Sequence, residues 1–293
     1  MADHRFTVAP GTVLVIDTFA GAVTITPTPD TDQMQIRVLA EATGGKPGAA
    51  ERWTRDVVVT AEQDRKAVRI TVRHRDGPVA LDLGSRPLGS IRLAVSVPLH
   101  TPLDLTTRSG SIEVGNDLVG DIRARAVIGT LFFGRTQGAI DARVDDGDIT
   151  VSRASGVVDL RTLRGDIRVG TLFDRSTLET NSGNISIFSA QRQVNARAEA
   201  GDITATLAAE LSGDSALTTA GGDIRVSVDP TSNFYVRARS VWGRVSSEVP
   251  MRTTSGGDGR RKFEGTLNQG GAQISLLASG GNILMTPFEP AND

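Results

Sequence analysis

The 293-residue chain carries 32 Lys+Arg against 34 Asp+Glu, a net charge of −2. That length suits one large all-β domain or two ordinary domains, and the charge balance argues against a nucleic-acid binder. Three residues are Lys and 29 are Arg, and Cys is absent, which excludes disulfides, thiolate metal sites and Cys nucleophiles.

In chain order, the opening Met1-Ala-Asp-His-Arg-Phe lacks the apolar core of a signal peptide. No stretch approaches the roughly 18 apolar residues that span a bilayer as a helix. The expected location is cytoplasmic, with a membrane-peripheral one as the alternative. Residues 6–105 read as widely spaced strands at 12–16, 22–26, 35–40, 57–61, 68–73 and 90–97, with a short helix at 49–55. Pro98 and Pro102 then mark the entry to a repeat. His4, His74 and His100 are scattered, in no ligand spacing.

Glycine recurs at 120, 129, 138, 147, 156, 165, 183 and 201, all on a nine-residue grid. The strongest units are Gly147-Asp-Ile, Gly165-Asp-Ile, Gly183-Asn-Ile and Gly201-Asp-Ile. Weaker echoes stand at Gly110, Gly222, Gly243 and Gly281. Each unit alternates apolar and polar residues, as at Ile140, Ala142 and Val144 against Asp141, Arg143 and Asp145. Columns eighteen residues apart agree: Ile122, Ile140, Val158, Ser176 and Val194 in one, Leu131, Ile149, Ile167, Ile185 and Ile203 in another. Two strands per 18-residue coil predict an all-β fold, a two-sheet parallel β-solenoid with coils ~4.8 Å apart. The expected organisation is an N-terminal β-rich capping segment (1–105), solenoid repeats (106–249), then a loop and C-terminal capping strands (250–293). The loop is expected at 253–259 and the last strands at 273–277 and 282–285. Pro287 and Pro290 would blunt the far end against edge-to-edge stacking.

Phe19-Ala-Gly-Ala-Val-Thr-Ile, then Ser90-Ile-Arg-Leu-Ala-Val-Ser-Val-Pro, Leu103-Asp-Leu-Thr-Thr-Arg-Ser-Gly-Ser-Ile-Glu-Val and the Gly-Asp-Ile units together carry a resemblance. From about 12 to 285 the chain resembles the putative-adhesin β-strand-repeat family, the toastrack domain of unknown function 4097. The resemblance implies a non-enzymatic bacterial domain found in envelope-stress and membrane-associated systems. It implies no catalytic residues.

The residues themselves give few openings for chemistry. Asp148, Asp166, Asn184 and Asp202 would stack at one corner, as a structural turn ladder or as a weak cation column. Calcium-binding nine-residue repeats need more oxygens per turn than this. Asp145, Asp146 and Asp148 form the one dense acidic cluster, in a turn with no wall to separate their pKa values. Arg164-Gly165-Asp166 spells a tripeptide read by animal adhesion receptors, but the repeat itself forces the Gly-Asp. More informative is the outward column Arg125, Arg143, Arg161, Glu179 and Arg197, with Arg123, Asp141 and Asp159 beside it. It reads as a salt-laced solvent face, or as an anion-binding face with Arg125, Arg143, Arg161 and Arg197 as contacts. The other sheet's outward face carries Thr150, Arg168, Ser186 and Thr204, with Phe132 and Phe188 exposed.

The functional expectation is a non-enzymatic scaffold or interaction module, monomeric, without metal or cofactor. Its partner would be a protein or an anionic surface, with no nucleic acid. A polysaccharide-binding or polysaccharide-active β-helix and a self-assembling structural protein are the alternatives.

Overall fold

A computed structural model describes residues 2–42, 55–75 and 89–288. The chain divides into two compact units, residues 1–145 and 146–293. The first holds β1 (Ala2–Thr7), β2 (Val13–Thr18), β3 (Ala22–Thr28), β4 (Gln33–Ala42), β5 (Val57–Gln63) and β6 (Ala67–His74). Then come β7 (Gly89–Pro98), β8 (Leu103–Ser109), β9 (Ile112–Val114), β10 (Ile122–Ile128), β11 (Leu131–Thr136) and β12 (Ile140–Asp146). The fold is all-β. The helix expected at 49–55 lies outside the described residues, apart from Arg55.

In the first unit the strands order as β1-β4-β7-β3-β9-β11 in one sheet and β12-β10-β8-β2-β6-β5 in the other. Consecutive strands such as β2 and β3, or β8 and β9, step from one sheet to the other, so each such pair makes a coil. Coil-to-coil pairing is parallel, as in Leu14↔Leu103 and Leu103↔Ile122. The coil of β2 and β3 sits between that of β6 and β7 and that of β8 and β9. Antiparallel β1, β4 and β5 flank them.

The second unit holds β13 (Ile149–Ala154), β14 (Val158–Arg164), β15 (Ile167–Leu172), β16 (Ser176–Ser182), β17 (Ile185–Arg192), β18 (Val194–Ala200), β19 (Ile203–Ser212) and β20 (Ser215–Thr219). It continues with β21 (Ile224–Val228), β22 (Phe234–Ser240), β23 (Val245–Ser247), β24 (Arg252–Gly256), β25 (Lys262–Leu267), β26 (Ala272–Ala278) and β27 (Ile283–Pro287). The predicted 18-residue period appears directly in the register: Ile149↔Ile167, Ile167↔Ile185 and Ile185↔Ile203. The inward side chains of these strands are buried, among them Val158, Leu160, Leu178 and Ile187. Burying each such Ile, Leu or Val contributes roughly 1.5–3 kcal/mol, and no coil could bury its apolar face without its neighbours.

Two expectations need correction. The stretch 253–259 is not all loop, because Arg252–Gly256 forms β24 and pairs antiparallel with β25. Its residues Arg-Thr-Thr-Ser-Gly are polar and mostly exposed at the sheet edge, so no apolar alternation marks the strand in the sequence. Nor does Pro287 guard the sheet's open edge. The chain doubles back, so the coil of β26 and β27 lies between β20/β21 and β22/β23, and the edge strands of this end are β23 and β24.

Candidate functional site

The Gly-Asp units build a hydrogen-bonded column at one corner of the second unit. Gly147, Gly165, Gly183 and Gly201 all hold φ between +144° and +149°. A Cβ on Gly165 would lie 2.1 Å from the Gly147 carbonyl oxygen, and the same clash recurs at Gly183 and Gly201. Glycine is therefore required by backbone conformation and by coil spacing together.

The residue after each glycine ties one coil to the next. Asp148 Oδ1 accepts the N–H of Asp166 (2.8 Å), and Asp166 Oδ1 accepts that of Asn184 (2.7 Å). Asn184 Oδ1 accepts Asp202 N–H, and Asp202 Oδ1 accepts Asp223 N–H, both at 2.8 Å. The ladder continues from Asp223 to Asn282 N–H (2.7 Å) and ends with Asn282 accepting Arg244 N–H (3.0 Å). At the last rung an Arg suffices, because no further coil needs an acceptor.

The second carboxylate oxygens are also engaged. Arg168 reaches Asp148 at 2.7 Å and Asp166 at 2.5 Å. Arg225 pairs with Asp223 at 3.2 Å and lies 3.6 Å from Asp202. Burial pushes the Asp148 carboxyl up, but the Asp166 N–H and the Arg168 guanidinium outweigh it and hold its pKa below the usual carboxylate range. Among the described residues no three His, Cys, Asp or Glu come together to hold a metal ion. Asp146 is engaged separately, by Arg164 at 3.0 Å. Both charged members of Arg164-Gly165-Asp166 are thus already paired, Arg164 with Asp146 and Asp166 with Arg168.

The four predicted anion contacts lie on exposed or half-exposed outward positions of β10, β12, β14 and β18. Arg143 lies 3.4 Å from Asp141. Arg161 bonds Asp159 at 2.9 Å and faces Glu179 at 3.4 Å, and Arg197 pairs with Glu199 at 2.8 Å. Arg125 has no carboxylate within 4.0 Å among the described residues. Three of the four therefore already share a carboxylate on their own strand, two residues away on the same face.

On the opposite sheet of the second unit, Thr150, Arg168, Ser186, Thr204 and Phe188 line a shallow depression of about 460 Å³. Phe188 stands 74% exposed beside Gly170, where a Cβ would meet the Ser152 carbonyl oxygen at 2.1 Å. Sequence reasoning missed a second group, at the terminal corner. Trp242 is 76% exposed there, next to Arg244 and the run Arg260-Arg261-Lys262. The signal was present in that basic run, but only the pairing of β22 with β25 brings it beside Trp242.

The family profile of Toastrack DUF4097 matches residues 13–286. The chain belongs to that family. Solved structures that the chain matches include a putative adhesin from Parabacteroides distasonis (10% identity, 97% of this chain and 96% of that one, TM-score 0.41). Another is a putative adhesin from Bacteroides fragilis (14% identity, 98% and 96%, TM-score 0.37). A third is a putative lipid binding protein from Parabacteroides distasonis (12% identity, 98% and 96%, TM-score 0.34). Among curated proteins, none matches.

Proposed function

We propose that this toastrack protein is a non-enzymatic interaction scaffold that works at an anionic, membrane-proximal surface. One observation carries the reading: the corner carboxylates, the residues best suited to acid–base or metal chemistry, are occupied by the ladder itself. Each ladder Asp accepts a backbone N–H of the next coil, and Arg168 and Arg225 take the remaining oxygens. The lowered pKa of Asp148 makes it a poor proton donor near neutrality. A ladder of this kind stiffens the stack and leaves its outer faces for contact.

Arg125, Arg143, Arg161 and Arg197 supply part of the attraction to such a surface. Because three of them are shared with carboxylates, each adds little, exposed pairs being worth at most about 1 kcal/mol. Flotation with phosphatidylglycerol-containing and pure phosphatidylcholine vesicles tests this. Reversing all four to Glu should lower the fraction bound to anionic vesicles about two- to threefold without affecting neutral ones. Binding unchanged by the reversal would remove these residues from the contact.

A further inference from the structure

We propose that the corner formed by residues 239–244 and 260–262 is the principal contact with an anionic bilayer, with Trp242 seated in the headgroup layer. This rests on the reading above and assigns it a site. The backbone brings the two segments together. Ser240 donates to the Arg261 carbonyl (2.9 Å), Val245 donates to that of Arg260 (2.7 Å), and Arg239 lies opposite Lys262 in the β22–β25 register.

Arg239, Arg244, Arg260 and Arg261 are all exposed, and among the described residues none has a carboxylate within 4.0 Å. The nearby acids are accounted for. Glu264 is shared by Arg237 (3.3 Å) and Lys262 (3.2 Å), and Asp258 Oδ1 accepts the N–H of Ser247 (3.2 Å). Glu248 lies immediately after β23. Six cations (these four with Arg237 and Lys262) against those three acids leave a net charge of +3 in a protein whose overall charge is −2.

The apolar component is as specific as the charge. Trp242 is fixed through its backbone N–H, which donates to the Ser279 carbonyl at 3.1 Å, while its ring is 76% exposed. Val241, 36% exposed, precedes it with its N–H bonded to the Ala278 carbonyl at 3.0 Å, and Leu277, 39% exposed, lies opposite Arg239 in the β22–β26 register. An indole with aliphatic neighbours, ringed by unpaired guanidinium groups, suits the boundary between acyl chains and phosphate headgroups. Nucleic acid is the poorer fit, because base stacking uses successive aromatic platforms and this corner offers one.

The test is flotation of the full chain with the same two vesicle types at low and high salt. Trp242→Ala should lower partitioning into anionic vesicles about tenfold. The triple change R244E/R260E/R261E should remove the salt-sensitive part of binding. All four side chains are exposed, and thermal melts matching the parent would show that the variants fold. If the parent floats and both variants float equally well, the corner is not the contact, although the scaffold reading stands. If the parent floats with neither vesicle type, both proposals fall. Binding of a single-stranded oligonucleotide through this corner, with no vesicle binding, would reassign the site to nucleic acid and overturn the inference.

Discussion

At the scale of single residues, Asp148 shows how one side chain does two jobs. Its Oδ1 accepts a neighbouring coil's N–H, and its Oδ2 holds Arg168. Asn can perform the first job, as Asn184 does for Asp202, but not the second. We therefore expect Asp148→Asn to cost no more than about 1 kcal/mol at neutral pH, since the ion pair is half exposed. Asp148→Ala should cost a further 1–2 kcal/mol or so by leaving the Asp166 N–H without its acceptor. The pH dependence follows from the lowered pKa. The ion pair's contribution is complete above the unfolded-state value of ~3.9 and is lost as pH falls through the lower folded value. Urea midpoints should therefore show the gap between parent and Asp148→Asn closing as pH drops below about 4. A gap that widened on acidification would contradict the assignment.

At the scale of the strands, the corner has an inner lining of hydroxyls. Thr162 and Thr180 donate to the carbonyls of Gly147 and Gly165, each at 3.0 Å, and Thr219 donates to Gly201 at 2.8 Å. Among the described residues, buried Thr107 has no partner for its hydroxyl. Thr180→Val should thus destabilise by about 1 kcal/mol, whereas Thr107→Val should be neutral or stabilising. Chemical denaturation of the two variants distinguishes them, and equal costs would refute this account of the hydroxyl column. The eighteen-residue grid was legible because Ile149, Ile167, Ile185 and Ile203 occupy one buried column without exception. The hydroxyl column was not, because Ala198 stands at the equivalent place on β18 and the polar Thr residues hide among solvent-facing neighbours. The doubling back of β26 and β27 was equally hidden. Gly243-Arg-Val and Gly281-Asn-Ile look alike in sequence, and only the pairing of Ile283 with both Ile224 and Val245 orders them in space.

For the molecule as a whole, the Gly-Asp ladder ties coil to coil, and the proposed contacts fall to the terminal corner and the outward arginines. The sheet-face arginines were visible in the sequence as a column, and so were Asp141 and Asp159, two residues before Arg143 and Arg161; Glu199, two residues after Arg197, was not singled out. The terminal corner was not visible, because Arg260, Arg261 and Lys262 are brought beside Trp242 by the antiparallel pairing of β22 with β25, and β25 lies outside every strand expected from the sequence. A long-range pairing of this kind leaves no local periodicity to read. The measurement that bears most directly on the account is the salt dependence of parent-protein binding to phosphatidylglycerol-containing vesicles, with phosphatidylcholine vesicles as the control. The account predicts binding to the anionic vesicles alone, weakened but not abolished at high salt because the Trp242 contact is apolar. Binding to neither vesicle, or equal binding to both with no salt dependence, would contradict it.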